Sequence, residues 1–77
     1  MQKFALEFIL NTHDISLEVL KESLLEFGED IEVFSLPQDD AERGTNFKVQ
    51  MNTIDPALVF DTCAQFGRLK AVKIHEG

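Results

Sequence analysis

Phe4-Ala5-Leu6-Glu7-Phe8-Ile9-Leu10 decides how the rest of the chain is read. Its large apolar residues stand at 4, 6, 8 and 10, the period of two that gives a strand one buried face. Asn11-Thr12 ends the apolar run. Residues 6–12 have an echo downstream in Phe47-Lys48-Val49-Gln50-Met51-Asn52-Thr53, so the 77-residue chain reads as two similar halves.

Working outward, the pattern predicts a first strand over residues 3–10. A helix follows, marked by Leu17, Leu20, Leu24 and Phe27 on one stripe. Gly28 reads as the left-handed residue that closes it. Residues 31–36 form a second strand, stopped by Pro37. In the second half, Phe47, Val49 and Met51 alternate with Lys48 and Gln50 as a half-buried strand. Asp55-Pro56 is the clearest helix start in the chain, Asp as the cap and Pro at the first helical position. Leu58, Val59, Thr62, Cys63 and Phe66 are expected on one helix face, with Gly67 closing it and residues 69–74 forming the last strand.

The halves align with a step. Asn11-Thr12 matches Asn52-Thr53 at an offset of 41, whereas Phe27-Gly28 matches Phe66-Gly67 at an offset of 39. Ile15-Ser16 aligns with Ile54-Asp55, and each apolar residue before the cap is matched by another four positions after the cap, Leu20 and Val59, the spacing of a hydrophobic staple. Ser16 is therefore the expected cap of the first helix, with Asp14 as its rival. The step leaves His13-Asp14 as two extra residues in the first loop. Two strand–helix–strand halves joined by a hairpin give one domain of class α+β: a ferredoxin-like βαββαβ two-layer sandwich. Its antiparallel sheet runs in the order 4-1-3-2, with two helices on one face and right-handed crossovers.

Composition narrows the function. A net charge of −7 with seven scattered Lys and Arg argues against nucleic acid and anionic membranes as partners. The single Cys63 excludes an intrachain disulfide and an all-Cys metal site. No stretch approaches the ~18 apolar residues of a membrane span, and none reads as a leader. The expected location is the cytoplasm. No nucleophile–base pair, phosphate loop or metal spacing supports an enzyme, and no cofactor or metal is expected.

The topology predicts a rim where Asn11, Thr12, His13 and Asp14 meet the long connection containing Asp39 and Asp40, and the turn containing Arg68. These seven residues are the candidate ligand-binding set, against the simpler reading of a solvated loop. Cys63 lies on a buried stripe and reads as a small hydrophobe. Glu18, Glu22 and Glu26 stack at i, i+4 and i+8 on the outer side of the first helix, a like-charge array that a basic partner would relieve. On the sheet face away from the helices, Ile9, Phe34 and Ala71 are apolar, while Glu7 and Glu32 stand ready to pair with Lys48 and Lys73. Mixed apolar and complementary charge suits a self-complementary dimer interface.

Comparison with four families bears on this. Residues 43–49, Arg43-Gly44-Thr45-Asn46-Phe47-Lys48-Val49, are loosely similar to the RNA-recognition-motif signature. Phe47, however, shares its face with Val49 and Met51 and so belongs to the core, not to a base-stacking surface. Heavy-metal chaperones carry Cys-x-x-Cys in the first loop and acylphosphatases an Arg, where this chain has Asn11-Thr12-His13-Asp14. In order of elements the chain resembles ACT-like regulatory domains over nearly its whole length. That resemblance implies a non-catalytic regulatory module, paired as a homodimer, binding a small-molecule effector at Asn11, Thr12, His13 and Asp14. The alternative is a protein-interaction domain that uses the acidic helix face or the free edge at residues 31–36.

Overall fold

A computed structural model describes residues 2–37 and 43–76. The elements are β1 (Phe4–Thr12), α1 (Leu17–Leu24), β2 (Glu29–Ser35), β3 (Thr45–Thr53), α2 (Pro56–Ala64) and β4 (Gly67–Glu76). They form one antiparallel sheet ordered β2-β3-β1-β4, the expected ferredoxin-like arrangement. The two strands with the cleanest alternation, β1 and β3, lie at its centre. Leu6, Phe8 and Leu10 on β1 and Phe47, Val49 and Met51 on β3 are all buried, together with Leu20 and Leu24 of α1 and Val59 and Cys63 of α2. Phe60 of α2 adds an edge-on contact to Phe8, with ring centroids 5.7 Å apart.

Both helix starts form as the step between the halves requires. The Ser16 side chain accepts the Val19 N–H at 3.2 Å, and Asp55 Oδ1 accepts the Leu58 N–H at 3.2 Å. Ser16, not Asp14, is thus the cap of α1. His13-Asp14-Ile15 separates Thr12 from that cap, whereas Ile54 alone separates Thr53 from Asp55. Ile15 packs against the core, but Ile54 is half exposed, so the staple has a clear basis only at α1.

Several expectations need correction. The strand β1 runs on through Asn11-Thr12, past the end expected at residue 10, and β3 likewise runs on through Asn52-Thr53. The threonines explain why. The Thr12 hydroxyl donates to Phe66 O at 2.7 Å and the Thr53 hydroxyl to Phe27 O at 2.6 Å, so each strand end is tied to the end of the helical segment in the other half. Both side chains are buried, and each buried hydroxyl has its partner. Thr12→Val or Thr53→Val leaves a carbonyl without its donor in an almost unchanged shape. Each should lower stability by about 1–3 kcal/mol, read from denaturant unfolding.

Second, α1 stops at Leu24: the Leu25 N–H bonds back to Glu22 O and the Phe27 N–H to Leu24 O, which tightens the chain into a turn. Glu26 therefore stands beyond the helix, and only Glu18 and Glu22 belong to it. Third, neither Gly28 nor Gly67 is left-handed; among the described glycines only Gly44 has a positive φ. Both are needed for close approach instead. A Cβ on Gly28 would strike Asn52 O and Met51 Cε, and one on Gly67 would strike the backbone of Asn11.

Fourth, each edge strand carries a bulge. In β2, Asp30-Ile31 stands opposite Met51 alone, and in β4, Ala71-Val72 stands opposite Phe8 alone. Asp30 and Ala71 take φ of 54° and 53°, a left-handed conformation uncommon outside glycine. The extra residue reverses the alternation of β4. Leu69 lies opposite Leu10 and Ile74 opposite Leu6, both on the helix side, so Lys70 and not Ala71 stands beside Ile9 on the outer face. On α2, Leu58 is 44% exposed and does not join the buried stripe of Val59 and Cys63.

Candidate functional site

The rim forms in part. Asn11 Nδ2 donates to Asn46 Oδ1 at 2.9 Å and to Arg43 O at 3.0 Å, so the start of β3 is fastened to the end of β1. His13 lies against the same place, since a methyl on Gly44 would sit 3.1 Å from its Nδ1. Arg68 is the ladder partner of Asn11 on the other side. Asn11, His13, Arg43 and Arg68 are thus brought together, as the topology predicts. Asp14 is exposed in the adjoining bend, and Asp39 and Asp40 lie outside the described residues.

The hydrogen bonds decide what this rim can offer. The Thr12 hydroxyl and the Asn11 amide are already engaged in holding the fold. The side chains turned to solvent are His13, Asp14, Arg43 and Arg68. Among the described residues no group of three or more His, Cys, Asp or Glu is placed to hold a metal ion.

Two hollows lie at the other end of the sheet, where the sequence reading placed no site. One, of about 580 Å³, runs over the outer face and is lined by Ala5, Glu7, Asp30, Glu32, Asn52 and His75 among others. Asn52 Nδ2 donates to Asp30 Oδ2 across its floor at 3.1 Å. The second, of about 320 Å³, lies between Glu26, Phe27, Gly28 and Ile54, beside the Lys3–Glu29 ion pair. Asp30 lines the first hollow through its bulge, which no compositional signal announced.

The outer sheet face carries an ordered array of side chains. Its side chains fall into cross-strand rows set by the register. One row is Glu32, Gln50, Glu7 and Lys73; the next is Phe34, Lys48, Ile9 and Lys70. Glu7 is the hub: it accepts from Gln50 Nε2 at 3.0 Å and lies 3.9 Å from Lys48 Nζ and 3.6 Å from Lys73 Nζ. The Gln50 hydrogen bond first, then the two lysines, holds the Glu7 carboxyl below its ordinary value. Phe34 is 49% exposed beside this network. Charge is uneven from edge to edge: β4 presents Arg68, Lys70, Lys73 and His75, while β2 presents Asp30 and Glu32 beside Phe34.

Cys63 is fully buried, and burial pushes its thiol up to about 11, the opposite of what a nucleophile needs. The thiol should resist alkylation in the folded protein and react only on opening, so labelling rates should follow unfolding. The thiol ionises near 9.0 when unfolded and at about 11 when folded. Stability from this group is therefore complete below pH 9.0 and falls as pH rises toward about 11, which alkaline unfolding curves of wild type and Cys63→Ala would compare.

No helix among the described residues is long and apolar enough to cross a membrane. Comparison of the chain with protein-family models and with curated proteins found no match.

Proposed function

We propose that this chain is a non-catalytic regulatory module that works as a homodimer, two copies meeting through their outer sheet faces. The observation that carries this reading is the face itself. It spans four strands without a covering helix, and it sets Ile9 and Phe34 among alternating Lys and Glu rather than in a uniformly charged surface. An ACT-like role places a small-molecule effector at the rim, held by the solvent-facing groups of His13, Asp14 and Arg68.

The rival reading, addition of a partner strand at β2, is opposed by the edge. Its bulge at Asp30-Ile31 and its run of Glu29, Asp30 and Glu32 are devices that discourage strand pairing. The acidic helix face is reduced to Glu18 and Glu22, although both are exposed and flank the 49%-exposed Val19.

Sedimentation equilibrium tests the pairing. Wild type should sediment at twice its 8.7 kDa, and Phe34→Glu should sediment as a monomer that keeps the wild-type circular dichroism. A Phe34→Glu chain that still pairs, or reversal of Glu18 and Glu22 that abolishes pairing instead, would move the interface to the helix side.

A further inference from the structure

Resting on that reading of the sheet as the pairing surface, we propose that the two copies are related by an axis running parallel to the strands, so that β4 of one copy lies over β2 of the other. Two identical sheets can meet face to face about a two-fold axis lying between them and directed either along the strands or across them. An axis across the strands lays each strand over its own counterpart. The β4 residues Arg68, Lys70 and Lys73 would then face the same three residues of the partner copy, a like-charge array along the strand. An axis along the strands reverses the sheet order and keeps the rows. β4 then covers β2, and β1 covers β3.

Row by row, the second arrangement matches opposite charges. Lys73 and Glu32 end the same row, on opposite edges, so each Lys73 comes over a Glu32 and the contact occurs twice. His75 and the Glu29-Asp30 pair end the row nearest the chain termini, so the imidazole comes over those carboxylates. In the next row Lys70 comes over Phe34, where its alkyl stem can cover the ring. Within one chain Glu7 already gathers Lys48 and Lys73, whereas Glu32 forms no ion pair within 4.0 Å among the described residues. The second copy supplies its cation.

Charge exchange separates this arrangement from the other. Lys73→Glu and Glu32→Lys should each raise the dimer dissociation constant about ten-fold or more, and the double variant should recover most of that loss. Because Lys73→Glu also removes the partner of Glu7, a second measurement avoids reliance on it. On a Cys63→Ser background, Lys73→Cys mixed with Glu32→Cys should give a heterodimeric disulfide on mild oxidation, and Lys73→Cys alone should give little. If Lys73→Glu instead tightens pairing, or Lys73→Cys cross-links to itself, the axis lies across the strands and this proposal fails while the sheet interface stands. If wild type is a monomer at every concentration, the interface itself fails.

Discussion

Gly67→Ala should leave little stably folded protein. Gly67 opens β4 directly against β1, as the ladder partner of Thr12. A Cβ there would meet Asn11 O and stand 2.9 Å from Asn11 C and 3.1 Å from Thr12 Cα. These are backbone atoms at the end of a central strand, fixed by the Asn11 amide contacts and the Thr12–Phe66 hydrogen bond, so they cannot yield as a flexible side chain would. The expected cost is about 3 kcal/mol or more. A domain of this size has only about 5 kcal/mol or a little more to lose. Thermal unfolding by circular dichroism should show a loss of tens of degrees or no cooperative transition. A variant within a few degrees of wild type would mean that the approach of β4 to β1 is looser than described.

The second large effect is Phe8→Ala. Phe8 is fully buried at the middle of β1, beneath α2, with Phe60 set edge-on at an interplanar angle of 75°. Removing the ring deletes its burial and leaves a cavity that the packed sheet can close only in part, for about 3–5 kcal/mol. Phe34→Ala is the matched control. The same side chain is removed from the other sheet face, where it is 49% exposed. At concentrations where the chain is monomeric its cost should stay within about 0.5 kcal/mol. Comparable losses for the two variants in denaturant unfolding would contradict the assignment of faces.

That assignment was readable from the sequence because β1 and β3 are central strands with one face on the core, and their alternation is therefore strict. The two-residue step between the halves was readable for a related reason: both helix caps are polar residues at fixed positions, Ser16 and Asp55, so an insertion ahead of one of them shows in the offset. The edge strands were less legible. A bulge adds a residue without changing composition, and Ala71 has no side-chain feature that announces a left-handed backbone. Continuing the alternation through β4 therefore set Ala71 on the outer face, where Lys70 stands.

Gly28 and Gly67 were located correctly but given the wrong task. A glycine after a helix fits a left-handed cap and a close strand contact equally well, and the contact depends on a strand from the other half. The rim was legible as a place, since topology alone brings His13 and Arg68 to it. Its chemistry was not, because Asn11 and Thr12 looked like loop residues open to a ligand. Their side chains instead serve the fold, and only the hydrogen-bond partners reveal it. The hollow over Ala5, Glu7 and Asp30 depends on the β2 bulge and inherits its invisibility.

Pairing through the sheet is the claim on which the functional reading turns, and intermolecular nuclear Overhauser effects in a mixture of labelled and unlabelled chains test it most directly. Cross-peaks between copies should involve the side chains of Phe34 and Ile9 and the stems of Lys48 and Lys70. Cross-peaks confined to α1 and α2, or none from the outer face in a sample that sediments as a dimer, would contradict it.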